Sequence, residues 1–591
     1  MCGIIGYSSH QKSSSTAEKI VQGLKKMEYR GYDSWGVAIA TPGKILIDKK
    51  TGAIGELGKK IKSSLPLGIG HTRWATHGGV TKNNAHPHLS VDGRFAVVQN
   101  GIVENFIELK KDLQKDGYKF KTQTDTEVIV HLVHKLLKKN DLREAVRLAF
   151  LELKGRNTFV VLDHQTQTII AVRQGSPLVV GRSKDKVLLA SDTIPLLGNA
   201  SEIVYVDDNQ LVEIHDGKLN IYNAKSGKKV RIKAQKLKQR QEKIDKDGFP
   251  HFMIKEIFEQ QYTVLEAAGY SEKELKPLVS EIKKSKKIYT LGAGTAAFAA
   301  GQIARFLRNV GIDAQELRSY EAESYLSLIG KKDLVIAVSQ SGETADTLEI
   351  IEEIRKKGTP IASIVNMVGS TTTRFSDYPY FSRSGPEICV ASTKAYTSQV
   401  VWGYLLSQTV VGRYRQAQKE ISQLSKKLKK YFADKSYQKI LKNLAKKILK
   451  EEHIFVLGKN QHFYSALEGA LKIKEITYKH FEGFSAGELK HGVIALVEKD
   501  TYVFGIVGGN KQEKMDVLNA LAEVKARGAK VIGVADEPHE FFDTYLFADD
   551  GKGLDSITKI IPFQLLSYYL ALELGNDPDK PRNLAKSVTV K

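Results

Sequence analysis

Cysteine is nearly absent from this sequence: among 591 residues there are two, Cys2 and Cys389. A pair so far apart offers no disulfide framework, and the first twelve residues lack the charged start and apolar run of a secretory signal. A reducing, cytoplasmic setting is therefore expected. Long hydrophobic runs are missing too. The longest uncharged stretch of note, 395–412, carries two Gln, two Ser, two Thr and two Gly, which predicts a buried helix rather than a membrane span. Acidic residues are also in deficit, with 89 Lys and Arg against 67 Asp and Glu for a net charge of +22. Such a field attracts phosphates of any kind. The basic residues are densest at 225–246 and 426–430. No zinc-finger spacing or RNA-binding motif with stacking aromatics accompanies them, so they read as solvated linker and helix faces, and no nucleic-acid partner is expected. No metal, nucleotide or flavin motif is evident, so no cofactor is expected.

What remains is a soluble globular composition, 42% hydrophobic and 26% charged, on a chain too long for one core. Up to about Tyr222 the sequence alternates short strand-like runs with Gly and Asn punctuation, among them WGVAIAT, LGIGHTR, FAVVQNG, TFVVLD and KVLLAS. Runs of this length between turn formers are strands. One helix announces itself in TQTDTEVIVHLVHKLL, where Thr124 and Glu127 stand at capping-box spacing ahead of an apolar stripe. The basic stretch that follows ends before a helical segment, FPHFMIKEIFEQ.

Beyond it lies an internal repeat. KIYTLGAGTAAFAAGQIARFL from Lys287 and HIFVLGKNQHFYSALEGALKI from His453 share an aliphatic strand, a Leu-Gly turn and a striped helix. The units starting at Asp333 and Asp500 match in the same way, and the near-constant offset indicates duplication. Alternating strands and helices call for parallel sheets with sites at the carboxyl ends of their strands.

Several clusters carry chemistry. Removal of Met1 would leave Cys2 with a thiol and a free α-amine on one carbon, an amine whose reference pKa suits it to take the thiol proton near neutrality. CGIIGY reads as an apolar strand, which ties the terminus down. In HTRWATHG, Arg73 offers a planar fork for a carboxylate. Asn100 and Gly101 lie at a strand end where an amide side chain and a backbone N–H can meet an oxyanion. Asp125, at a helix start that should keep it ionised, can receive an ammonium group. In the duplicated half, VSQSGETADT opens a helix with Ser339, Gln340, Ser341 and Thr344, donors for a phosphate. The equivalent loop IVGGNKQE lacks those hydroxyls, so one repeat alone is built for phosphate. Lys472 and Glu475, three apart on one helix face, form either a surface ion pair or a buried catalytic pair. A desolvated carboxylate there would suit a proton shuttle.

CGIIGY, MEYRGYDSWG, HTRWATHG, NAHPH, NGIVEN and TDTEV resemble the glutaminase domain of the N-terminal-nucleophile amidotransferases. The rest of the chain is similar to the glutamine-dependent members that aminate and isomerise fructose 6-phosphate. This resemblance implies an α+β N-terminal-nucleophile hydrolase fold, an αββα sandwich, followed by two α/β three-layer sugar isomerase (SIS) domains with parallel sheets. The expected boundaries are 1–222 for the glutaminase domain, 223–248 for a basic linker, 249–430 and 431–580 for the isomerase domains and 581–591 for a catalytic tail. By resemblance Cys2 releases ammonia through a glutamyl thioester, with Asn100 and Gly101 as oxyanion hole. Arg73, Trp74, Thr76, His77 and Asp125 bind glutamine, with Arg73 and Asp125 at its carboxylate and amino group and Trp74 in the loop that closes the site. Ser392, in VASTKAYT, joins Ser339, Gln340, Ser341 and Thr344 as a sugar-phosphate ligand. Glu475 shuttles the proton beside Lys472, His491 helps open the sugar ring and Lys586 forms a Schiff base with the open-chain ketose. A homodimer is expected. Ala293 and Ala296 stand where the family pattern has cysteine and serine, a departure that bears on one sugar or phosphate hydrogen bond. Competing readings are a different phosphosugar acceptor, a catalytically silent hexose-phosphate sensor, and a nucleic-acid binder drawn by the net charge.

Overall fold

The computed structural model describes residues 2–11, 15–58, 61, 63, 65–237, 245–551 and 553–589. The chain forms two compact units, Met1–Ile244 with Ser587–Lys591, and Asp245–Lys586.

The first unit holds an eight-stranded and a six-stranded sheet, in which every strand pairing is antiparallel. Gly3–Ser9 runs near the middle of the larger sheet, between Leu67–Arg73 and Lys186–Ala190. Phe95–Gly101 pairs with Asn157–Asp163 in the smaller one. Alternation along each strand divides the core into layers. Ile4, Ala38 and Ile69 of one sheet meet Ala96, Val98 and Val160 of the other in a dry interior. The neighbouring residues face outward: Ile5, Val37 and Ile39 pack with Ile20 and Leu24 of the helix Thr16–Lys25. Val97, Phe159 and Val161 pack with Ile129, Val133 and Val146 of the helices Thr126–Leu137 and Leu142–Glu152. Both faces of both sheets are covered, which is why these strands read as continuous apolar runs, and the result is the expected αββα sandwich. Gln235–Lys236, from the basic stretch, adds an edge strand to the larger sheet.

The capping box expected at Thr124 and Glu127 does not form. Asp125 is the N-cap residue and makes no side-chain cap bond. Thr124 Oγ1 instead bonds His88 Nε2 at 3.1 Å. Glu127 turns back to accept from the Lys121 and Thr122 amides at 2.8 and 2.7 Å and from the Thr122 hydroxyl. Three donors outside the helix outcompete the one a cap would supply.

The second unit contains two five-stranded sheets, every strand parallel. Their orders correspond: Ala314–Arg318, Ile288–Gly292, Leu334–Ser339, Ile361–Val365, Tyr378–Phe381 in one, and His480–Ser485, His453–Gly458, Tyr502–Ile506, Lys530–Ala535, Thr544–Phe547 in the other. In each, the order reverses between the first and third strands of the chain, the point where open parallel sheets hold ligands. The uncharged stretch is the helix Lys394–Val410, buried at every position except Gln408. Among the described residues no helix is long and apolar enough to cross a membrane.

Candidate active sites

Cys2 precedes the strand Gly3–Ser9 and is partly buried. Its Sγ lies 3.3 Å from the Trp74 amide, which donates to it, and 3.6 Å from the Trp74 carbonyl. Its carbonyl accepts from Asn100 Nδ2 at 3.0 Å and Arg30 Nε at 3.2 Å. Burial pushes the thiol up from its ordinary value, against the pull of the Trp74 amide and of Arg73 and Arg30. Proton removal from this sulfur therefore needs a base close by. Met1 lies outside the described residues, so the fate expected for it rests on the sequence.

Arg73 is 4% exposed, and among the described residues its guanidinium bonds only backbone carbonyls: His77 at 2.5 Å, Gly78 at 3.1 Å and Gly79 at 3.2 Å. No carboxylate lies within ion-pair distance of it among the described residues. Gly101 has φ +132°, and a Cβ there would run into the Arg156 carbonyl oxygen, so glycine is required. Asn100 and Asp125 are both buried. Asp125 accepts from the Val103 amide at 2.8 Å. Burial raises its carboxyl above the ordinary value, while the Val103 amide and the nearby His77 pull it back down. His77 is half-buried and stacks edge-on against Phe106, while Thr76 is exposed.

The strand that presents Asn100 is braced from behind. His71 Nε2 donates to the Gln99 carbonyl at 2.8 Å, and the Gln99 amide donates to His86 Nδ1 at 3.3 Å. The two rings stack at 4.2 Å. Burial lowers His71 to about 3 and His86 well below the usual imidazole range, so both act as neutral struts. Arg30 Nη1 pairs with buried Asp192 at 3.0 Å. Sequence reading singled out none of these.

In the second unit the loop after Leu334–Ser339 folds on itself: the Gly342 amide donates to Ser339 Oγ at 2.9 Å and the Glu343 amide to Ser341 Oγ at 3.1 Å. Gly342 has φ +65°, and a Cβ would collide with Ser370. Gln340 lies between them, partly exposed. Thr344 is the N-cap of the helix Ala345–Lys356 yet makes no side-chain cap bond. Its hydroxyl and the first helical amides are thus available to an anion.

Ser392 donates to Glu387 Oε2 at 2.9 Å, and Lys586 Nζ reaches the same oxygen at 2.5 Å and the Cys389 carbonyl at 2.7 Å. The Thr393 and Ala395 amides hold Oε1 at 2.9 and 3.0 Å. Burial would raise the Glu387 carboxyl, but the Lys586 ammonium and those amides outweigh it and hold it below its ordinary value. The tail lysine is therefore pinned in a buried ion pair rather than solvated. Beside it Glu256, which accepts from the Ile388 amide at 2.6 Å, is pushed up to about 8 by burial and by Glu387. Neither glutamate was legible as a site residue.

Lys472 and Glu475 do form a pair, Nζ to Oε2 at 2.6 Å, with the lysine fully buried and Glu475 19% exposed. Lys472 also reaches Thr295 Oγ1 at 3.0 Å and Glu468 at 3.5 Å. The carboxyl that burial drives up to about 8 is Glu468, one turn earlier and wholly enclosed. Lys472 is held charged, burial being overcome by Glu468 and Glu475, and it feels Glu387 as well. His491 is not drawn into this cluster. It ends the turn Leu489–His491 and is itself exposed, and among the described residues its imidazole makes no hydrogen bond or ion pair.

Comparison with known proteins follows the same division. The family model "SIS domain" matches residues 281–407 and 447–574, and "Glutamine amidotransferase domain" matches 71–198. The glutamine–fructose-6-phosphate aminotransferase (isomerizing) of Pyrococcus horikoshii is 41% identical over the whole of both chains. Those of Fusobacterium nucleatum and Aquifex aeolicus are 39% and 38% identical, again end to end. The solved C-terminal domain of glucosamine-fructose-6-phosphate aminotransferase from Francisella tularensis superposes with a TM-score of 0.52 at 29% identity. It covers 57% of this chain and all of its own. Tagatose-6-phosphate ketose/aldose isomerase from Escherichia coli, TM-score 0.50 and 16% identical over 57% of this chain and 97% of its own, shares the fold alone.

Proposed function

The chain belongs to the glutamine–fructose-6-phosphate aminotransferase (isomerizing) family, and we propose that its two compact units divide the reaction between them. Glutamine and fructose 6-phosphate are the substrates, and glutamate and glucosamine 6-phosphate, the entry compound of hexosamine synthesis, are the products.

In the first unit Arg73 takes the glutamine carboxylate and Asp125 its ammonium, presenting the side-chain amide to Cys2. The mature α-amine accepts the thiol proton, and the thiolate adds to the amide carbonyl. The oxyanion is met by Asn100 Nδ2 and the Gly101 N–H. Ammonia leaves with a proton returned from the amine, and water hydrolyses the thioester to glutamate. Trp74, Thr76 and His77 close over the substrate.

In the second unit Ser339, Gln340, Ser341, Thr344 and Ser392 receive the phosphate and hydroxyls of the sugar. His491 assists ring opening, and Lys586, once its proton passes to Glu387, condenses with the ketone with loss of water. Ammonia from the first site displaces the lysine, and Glu475 moves a proton from C1 to C2, with Lys472 fixing the carboxylate. A cytoplasmic homodimer without nucleic acid completes the proposal.

The observation that supports this division best is that the two nitrogen-handling groups, Cys2 and Lys586, belong to different compact units. Cys2→Ala should therefore abolish glutamine-dependent amino-sugar synthesis while leaving sugar isomerisation intact, read by product analysis with each substrate. Equal loss of both activities would refute separable sites.

A further inference from the structure

The two parallel sheets of the second unit share one strand order, so each has a crevice at the same switch point. In the first repeat that crevice is framed by the helix start at Thr295, the loop Ser339–Thr344 and the segment Ser392–Lys394 that opens the next long helix. The second repeat has counterparts of all three: Gln461 and His462 at the start of Gln461–Thr477, the loop 507–510, and Asp555 at the start of Asp555–Glu573.

The first two converge on the carboxylate of the third. Asp555 Oδ1 accepts from Gln461 Nε2 at 2.6 Å, and Oδ2 accepts from His462 Nε2 at 3.0 Å and from the Gly509 amide at 3.2 Å. The His462 and Asp555 side chains are 1% and 2% exposed. One turn further along, Lys559 is wholly buried, and its Nζ bonds the Ala548 carbonyl at 2.9 Å. A Cβ on Gly508 would strike both His462 and Lys559, so the glycine that replaces a serine of the first loop lets these two groups approach. His462 Nδ1 is buried and lacks a hydrogen-bond partner among the described residues. A loop amide, residues at a helix start, an imidazole and a lysine make a donor set suited to a phosphate group. Here a side chain of the protein fills it.

We propose that Asp555 is a built-in anion occupying the phosphate position of the second repeat, so that each chain binds one hexose phosphate rather than two. Its removal would open a latent site for a phosphate group. Burial alone would raise the Asp555 carboxyl, yet His462, Lys559 and the Gly509 amide hold it well below the carboxylate range, as they would a bound anion. A cavity of about 320 Å³ lined by Gly509, Lys511 and Lys514 adjoins the loop, leaving room for the remainder of a phosphorylated ligand.

The inference rests on the phosphate role proposed for Ser339–Thr344, and the two can fail separately. Titration calorimetry on the full-length wild type with fructose 6-phosphate is expected to give one equivalent per chain. Two equivalents would overturn the built-in anion, whereas none would overturn the proposed sugar site instead. Asp555→Ser, which vacates the carboxylate position, is expected to take up one more equivalent of inorganic phosphate than the wild type. Its melting temperature should rise with phosphate where the wild type's second repeat does not respond. Asp555→Asn, which keeps the space filled, should gain no equivalent. A folded Asp555→Ser chain with wild-type phosphate stoichiometry would refute the proposal. If Asp555→Ser folds only when phosphate is present, the proposal is supported; if it folds under neither condition, the wild-type stoichiometry decides.

Discussion

Glu387→Gln is the sharpest perturbation of the proposed sugar site. The substitution keeps the shape of the side chain, and the amide oxygen can still accept from Thr393 and Ala395. It replaces Oε2, the oxygen that receives both Ser392 and Lys586, with an NH2 group. Ser392 can turn its hydroxyl to accept from that group, but the Lys586 ammonium cannot. Both partners are nearly inaccessible, 0% and 4% exposed at the side chain, so solvent does not screen the loss. Removing one member of a buried pair costs about 3–5 kcal/mol. At about 2 °C per kcal/mol for a large domain, the second unit should melt about 6–10 °C lower by calorimetry. The lysine loses its anchor as well, and misplacement of a reacting group by about 1 Å costs about 10²-fold. Borohydride trapping of fructose 6-phosphate on Lys586, read by peptide mass, should fall by about that factor. Glutamine hydrolysis should persist. The Glu387 carboxyl is depressed in the folded chain, so the pair's contribution is present above the unfolded glutamate value and is lost as pH falls through the folded one. A variant that melts with the wild type and traps the sugar at the same rate would refute the argument.

Three further outcomes are expected. Gly101→Ala forces a Cβ into the Arg156 carbonyl at a φ of +132°, so glutaminase activity should be lost with about 1–3 kcal/mol of local strain while sugar isomerisation persists. Asp192→Ala strips buried Arg30 of its carboxylate partner and loosens its hold on the Cys2 carbonyl; glutamine turnover should drop and the first unit should lose about 3–5 kcal/mol by denaturant titration. Glu468 keeps a proton up to about pH 8 in the folded chain but releases it near 4.5 when unfolded. Stability of the second unit should therefore fall as pH rises through that window, by up to about 1.4 kcal/mol per unit, and Glu468→Gln should flatten the slope.

Local periodicity carried the architecture far. The repeat offset placed both parallel sheets, and the spacing of Lys472 and Glu475 placed a real ion pair, because residues three apart on a helix meet whatever surrounds them. What stayed hidden depends on distant partners. Nothing near Lys586 marks Glu387, 199 positions earlier, as its acceptor. Nothing near Asn100 marks His71 and His86 as its struts. Thr124 and Glu127 misled for the same reason, since a cap motif in sequence cannot reveal that His88 and the Thr122 amide compete for the same groups. Burial, which only the folded layers define, adds to Asp125 an upward push that a helix-end argument does not contain.

Arg73 spends its donors on three consecutive carbonyls, those of His77, Gly78 and Gly79. In the proposed role of Arg73, a glutamine carboxylate arriving at that fork competes with the very segment that supplies those carbonyls. Occupancy and segment position are then one thermodynamic variable, and the affinity for glutamine includes the work of loosening or retaining that tether. Any change that weakens the three carbonyl bonds, even far from the sulfur, should therefore tighten substrate capture at the expense of order in the empty enzyme.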